Sequence, residues 1–330
     1  MKKTVTVVCH HEHGIPEEVA QVESWDTPAI APNQVLVEMK ASPINPADIN
    51  RLEGKYPIRS PLPAIAGNEG VGIIAETGSA VANLRVGQPV ISLDRVGHWC
   101  DAYVSDAKSL IPLPDDIPLK QAAMLSVNPP TAWRMLEGFA DLKPGDWVIQ
   151  NAANSGVGRA VIQIARLRGL RTINVVRRED LIPELEAEGA DIVVTDEIPL
   201  SKQIRDLTGN ADVPLGLNAV GGENAREIAK SLSDRGTLVT YGAMGLQPLQ
   251  MSNSLLIFKD LCFRGFWINA WYKHADTRDI HDMFNQLIPL ITSGKLTVPV
   301  EQTYPLTDVK AALAHACQSA RKGKILFVMN

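Results

Sequence analysis

In the stretch Asn151-Ala152-Ala153-Asn154-Ser155-Gly156-Val157-Gly158 every residue but Val157 is small, polar or conformationally permissive, and the stretch stands between an apolar run and an amphipathic one. Trp147-Val148-Ile149-Gln150 reads as a buried strand, and Val157, Ala160, Val161, Ile164 and Ala165 then share one face of a helix ending near Gly169. A chain that passes from strand to helix in so few residues aims unpaired amides, and the positive end of the helix dipole, at whatever lies beyond the turn. A pyrophosphate suits that environment, so Asn154, Ser155, Gly156 and Val157 are expected to bind a dinucleotide. Read as G-x-G-x-x-G, the segment has Ala153, Ser155 and Gly158 at the glycine positions. The spacing alone would also describe a structural turn; the flanking strand and helix favour the cofactor.

About 20 residues further on, an enzyme that uses NAD carries an acid for the ribose 2′-hydroxyl. This chain carries Arg177 and Arg178 instead. Two guanidinium groups match a 2′-phosphate in charge and in bidentate geometry, where an acid would repel it. NADP(H) is therefore the expected cofactor, against the alternative that the arginines are a solvated strand end. Tyr241-Gly242-Ala243-Met244 closes a later strand, at the carboxyl edge where ligands bind in such sheets.

The elements that would position these residues are legible in the punctuation. Of 22 prolines, 15 fall in the first 144 residues, among short alternating segments such as Val35–Met39 and Gly70–Ala75. That is the texture of a turn-rich β domain. From about Lys143 strands and helices alternate: a strand over 171–176, a helix over 181–188, a strand over 192–194, a helix near 201–207, a strand over 213–220, a helix near 223–232 and a strand over 237–241. Such alternation with short loops specifies a parallel, doubly wound sheet. After about Phe266 the pattern breaks, and the last apolar strand, Ile325 to Val328, is expected to rejoin the first domain.

At 330 residues the chain suits two domains, and 45% hydrophobic with 21% charged residues is ordinary globular composition. A net charge of −5 without a basic run gives no footing for nucleic acid or an anionic membrane. The apolar run Val5 to Cys9 stops at His10-His11-Glu12-His13, too short for a signal-peptide core, and a cytoplasmic protein is expected. The four cysteines lie far apart and read as reduced, mostly buried thiols.

The order of these parts resembles the medium-chain dehydrogenase/reductase superfamily over essentially the whole chain. Within it, Asn45-Pro46-Ala47-Asp48-Ile49-Asn50, Gly54-Lys55-Tyr56-Pro57, Gly67-Asn68-Glu69-Gly70, Asn154 to Gly158, and Ile257-Phe258-Lys259-Asp260 with Arg264-Gly265-Phe266-Trp267 resemble the mitochondrial-type 2-enoyl thioester reductases. The resemblance implies an α/β fold with a GroES-like β-rich catalytic domain, residues 1–120 and 266–330, and a Rossmann-type domain, residues 121–265. It implies reduction of the C2=C3 bond of a trans-2-enoyl thioester, carried by coenzyme A or an acyl carrier protein, in a homodimer. Quinone reductases of the same superfamily, which share Gly-x-Tyr-Pro, are the alternative.

Zinc-dependent members carry Gly-His-Glu where this chain has Gly67-Asn68-Glu69, and a cysteine in the segment of Asn45 to Asp48. With those ligands and the closely spaced structural cysteines missing, no metal is expected. His10, His11 and His13 read as part of a turn of the first hairpin, and no functional metal is expected there. A reductase without a metal needs another proton donor, and the Tyr56 phenol, neutral at working pH, can donate. The resemblance implies that role for Tyr56; taken alone, a tyrosine before proline in a loop also fits packing. By the same resemblance Tyr241, Gly242 and Met244 approach the nicotinamide, Phe266 and Trp267 fix its carboxamide, and Asn45 lies near its ribose.

Overall fold

The computed structural model describes residues 2–94 and 97–329 of the chain. Two compact units emerge, Met1–Val127 with Thr277–Asn330, and Asn128–Asp276.

The first unit is built on strands. Thr4–His10 pairs antiparallel with Gln21–Asp26 and with Ala64–Ile65. A larger sheet runs in the order Val300–Tyr304, Lys324–Val328, Gln34–Pro43, Val71–Thr77, Pro89–Ser92 and Leu110–Pro112, and Ala102–Asp106 also pairs with Gln34–Pro43. The alternating segments of the sequence are thus central strands: Val37 faces Ile74 across the pair. The final strand does rejoin this unit, with Leu326 opposite Pro43. Phe327 meets Trp99 edge to face, ring centroids 5.0 Å apart, in a core that includes Val7, Val37, Met39 and Ile325. Each such side chain contributes about 1.5–3 kcal/mol by leaving water.

The second unit contains six parallel strands: β1 (Trp147–Asn151), β2 (Arg171–Val176), β3 (Ile192–Thr195), β4 (Leu215–Asn218), β5 (Thr237–Thr240) and β6 (Cys262–Gly265). Their order is β3-β2-β1-β4-β5-β6, a doubly wound sheet whose direction of winding reverses between β1 and β4. Helix α1 (Gly156–Leu167) links β1 to β2; Val157, Ala160, Val161, Ile164 and Ala165 are buried as expected, but so are Arg159, Ile162 and Gln163, so the helix is covered on more than the one expected face. The sequence pattern ended the sheet at β5. Strand β6 escaped it because Cys262, Arg264 and Gly265 are exposed, so this edge strand shows no apolar alternation.

Candidate active site

Every residue assigned to the nucleotide in the second unit lies at the carboxyl end of a strand of one sheet. The turn after β1 is held by Ser155, which caps α1: its hydroxyl accepts a hydrogen bond from the Gly158 amide at 3.1 Å. This cap leaves the first-turn amides of Gly156 and Val157 at the mouth of the helix. Gly158 lies against the turn so closely that a Cβ there would come 2.4 Å from the Ala153 carbonyl oxygen. Asn154 is half-buried, and its carbonyl accepts from Arg159 Nε at 3.3 Å.

Arg177 and Arg178 follow the last residue of β2 directly. Arg177 is exposed, and Arg178 lies 3.0 Å from Asp180. Tyr241 follows β5, its amide bonded to the Asn218 carbonyl at 3.0 Å, and its hydroxyl is buried beside Ser155; burial pushes the phenol well above its ordinary range. The fold thus brings residues 155 and 241 near one another. Gly242 sits against Ala219, where a Cβ would come 3.0 Å from the carbonyl oxygen, and Met244, half exposed, donates its amide to the same carbonyl at 2.8 Å. After β6, Phe266 bonds through its amide to Thr240 and stacks edge to face on Phe139, and Trp267 caps the helix Ile268–His274.

Sequence reasoning missed the polar residues beneath these loops. At the reversal point, Asn151 Nδ2 donates to Asn218 Oδ1 at 2.8 Å and to Asn224 Oδ1 at 2.7 Å, and Asn151 Oδ1 accepts from the Ala219 amide. Gln150 Nε2 donates to the Gly158 carbonyl at 2.9 Å and to Asn174 Oδ1 at 2.8 Å. Amides buried inside apolar strands are costly unless paired, and here they pin the turn to the sheet. The signal was in the sequence: Gln150, Asn151, Asn174 and Asn218 interrupt otherwise apolar strands.

In the first unit, Tyr56 lies in the loop after the helix Pro46–Leu52, half-buried, with its amide bonded to the Asn50 carbonyl at 3.0 Å. The Arg51 guanidinium lies over its ring, 4.4 Å from the centroid. Gly54 makes this loop possible: it has φ +71°, and a Cβ would strike the His13 ring at 2.9 Å. Tyr56, Asp48, Arg51, Asn68, His10 and His13 line one pocket.

Behind it lies a buried network. Asn45 caps the helix, its amide bonded to Asp48 Oδ2 at 2.7 Å, and Asn68 donates to the other oxygen of Asp48. Asn45 Nδ2 donates to Glu69 Oε1 at 2.7 Å, Ser126 donates to Glu69 Oε2 at 3.2 Å, and Lys324 Nζ donates to Asn45 Oδ1. Desolvation lowers the Lys324 pKa, and Glu69 opposes that effect. Asn45 was expected at the ribose, and a contact there can use the second N–H of Nδ2 or the second lone pair of Oδ1, since these bonds occupy one of each. These are the positions where zinc-dependent relatives carry ligands. A dication does not fit this donor set, because the carboxylates and amides are paired with one another and Lys324 Nζ donates into the same network. Lys324 was missed because it lies 279 residues from Asn45 in the chain.

Among the cysteines, Cys9 and Cys100 are buried whereas Cys262 and Cys317 are exposed, so the expectation of mostly buried thiols holds for two of the four. Phe284 is a buried residue of the helix Thr277–Thr292, and Trp271 lies under the Arg134 guanidinium. No helix among the described residues is long and apolar enough to cross a membrane.

Comparison with known proteins follows this geometry. Residues 31–115 match the alcohol dehydrogenase GroES-like domain and residues 156–292 the zinc-binding dehydrogenase family. The mitochondrial enoyl-[acyl-carrier-protein] reductase of Xenopus tropicalis is 45% identical, covering 92% of this chain and 89% of its own. The solved Etr1p/NADP/crotonyl-CoA complex superposes with a TM-score of 0.89 at 29% identity, covering 99% of this chain and 100% of that one. A Bacillus thuringiensis structure assigned as an NADPH:quinone reductase superposes at 0.93, also with 29% identity and with coverage of 99% and 100%. The relatives overturn one expectation. They are named as mitochondrial proteins, so the cytoplasmic location is withdrawn. It had rested on a short apolar run, which speaks only to secretion.

Proposed function

The chain belongs to the enoyl-[acyl-carrier-protein] reductases of the medium-chain dehydrogenase/reductase superfamily, and from that premise we propose how its residues divide the work. It is an NADPH-dependent oxidoreductase that reduces the C2=C3 double bond of trans-2-enoyl thioesters. The nicotinamide, when bound, supplies the hydride that the β-carbon receives.

The protein's part is holding, orienting and proton supply. Gly156 and Val157 offer amides to the pyrophosphate, with the Asn154 and Ser155 turn as their frame. Arg177 and Arg178 take the 2′-phosphate. Tyr241, Gly242 and Met244, with Phe266 and Trp267, form the wall for the nicotinamide half, and Asn45 serves its ribose. The Tyr56 hydroxyl donates to the thioester oxygen as negative charge grows there and delivers, directly or through solvent, the proton that completes reduction. Arg51, stacked on the same ring, adds positive potential beside that charge.

The observation that carries this reading is the identity to enoyl reductases across nearly the whole chain, and the capped turn and the arginine pair at neighbouring strand ends support it. The test is NADPH consumption on crotonyl, hexenoyl and decenoyl thioesters against a panel of quinones. Thioesters should be the better substrates by kcat/KM; quinones turned over orders of magnitude faster would reverse the assignment.

We also propose an acyl carrier protein as the carrier, supported by the names of the relatives, and a homodimer. Among the described residues the outer edge of β6 has no partner strand, and Ile257 and Phe258 of the helix before it are exposed; an open edge with exposed apolar side chains nearby supports the latter.

A further inference from the structure

The histidines after the first strand find their partners across the hairpin. Thr4–His10 pairs with Gln21–Asp26 in the register Val7 to Glu23 and Cys9 to Gln21, which puts Cys9 and Glu23 diagonally on one face of the pair. His11, two residues past Cys9, returns to that face. The Cys9 Sγ, a ring nitrogen of His11 and a carboxylate oxygen of Glu23 all lie within 4.8 Å of one another. His11 Nε2 is 2.7 Å from Glu23 Oε1, and Trp25 Nε1 donates to Glu23 Oε2 at 2.7 Å, which orients the carboxylate from outside. Cys9 is buried, Glu23 half-buried and His11 exposed, so the three donors share a closed floor and one open side.

One sulfur, one imidazole nitrogen and one carboxylate oxygen, with a position left for water, make a donor set for a borderline divalent cation rather than for Mg2+ or Ca2+. The Trp25 bond adds the kind of outer-shell support that such ligands receive. We propose that Cys9, His11 and Glu23 form a binding site for Zn2+ or a cation of the same class. Binding is ligand exchange without redox: the cation replaces the Cys9 thiol proton, which leaves to solvent, and takes up the His11 and Glu23 donors that now bond each other. His11 and Glu23 are absent from the Tyr56 pocket, so this site does not depend on the reductase assignment.

Co2+ reports on it directly, because a thiolate ligand gives a sulfur-to-cobalt charge-transfer band in the near ultraviolet. The full chain, with the exposed Cys262 and Cys317 changed to Ser, is stripped of metal under reducing conditions and titrated with Co2+. One equivalent should saturate the band, and Zn2+ should displace it. Cys9→Ser should abolish the band, and His11→Ala or Glu23→Gln should weaken binding by at least about tenfold, the least that even outer-shell losses cost at metal sites. His11 is exposed, so its variant keeps the test valid should Cys9→Ser fail to fold. Absence of the band in the parent chain, or binding unchanged in His11→Ala, would overturn the proposal.

Discussion

At the scale of single residues, Tyr56 and the arginine pair make opposite kinds of prediction. A hydroxyl that bonds to charge developing in the transition state affects kcat, because the ground state does not carry that charge. Tyr56→Phe keeps the ring under Arg51 and should lower kcat on an enoyl thioester on the order of a hundred- to thousandfold, the loss of about 2.7–4 kcal/mol that removing one such donor costs. Thioester KM should barely move; near-normal kcat would assign Tyr56 to packing. The role proposed for Arg177 and Arg178 concerns binding instead. Changing both to Ala should raise KM for NADPH far more than for NADH, which lacks the phosphate, and an unchanged ratio of the two would remove them from the site. Both positions could be chosen from sequence because each has a chemistry that its neighbours lack. Lys324 could not: nothing near it in the chain announces that it meets Asn45 and Glu69.

At the scale of elements, the two site segments are each held by a cap. Ser155→Ala removes the acceptor for the Gly158 amide and should cost about 1 kcal/mol in denaturant unfolding, with weaker NADPH binding in fluorescence titration. Unchanged NADPH affinity would detach the turn from the cofactor. The helix Pro46–Leu52, which leads into the Tyr56 loop, begins at Asn45, and Asn45 is anchored by Lys324. Lys324→Met removes the donor to Asn45 Oδ1 inside a buried network and should lower the melting temperature, since a buried acceptor that loses its partner costs about 1–3 kcal/mol. Lys324→Arg should recover part of that stability; a melting temperature equal to that of the parent in Lys324→Met would show that the network does not need this donor. Helices and strands of the nucleotide unit were readable from periodicity, since buried faces repeat every 3.6 or every two residues. Strand β6 was not, because an exposed edge has no face to bury on either side.

At the scale of the molecule, the exposed Ile257 and Phe258 beside β6 give the homodimer its test. Phe258→Asp should shift the molar mass in light scattering from two chains to one; a parent chain that already runs as one would end the idea. Activity should survive exhaustive chelation in the parent chain and in Cys9→Ser, since Asp48, Asn68 and Glu69 are bonded within one network with Asn45; loss on chelation restored by zinc in Cys9→Ser, which lacks the hairpin site, would contradict this assignment. The sequence by itself determined the class of fold, and it offered the nucleotide turn and the arginine pair as candidates, because each is written in a contiguous stretch: a strand, a turn of small residues, a helix, and charges just past the next strand. The tertiary structure alone decided what meets across the chain: Tyr241 near Ser155, Asn151 against Asn218, Lys324 at the Asn45 cap of the helix that leads into the Tyr56 loop, and Cys9 with Glu23 across a hairpin. Periodicity records which way a residue faces. Its partner is set only when strands choose their register and distant segments share one core, and no local pattern encodes that choice.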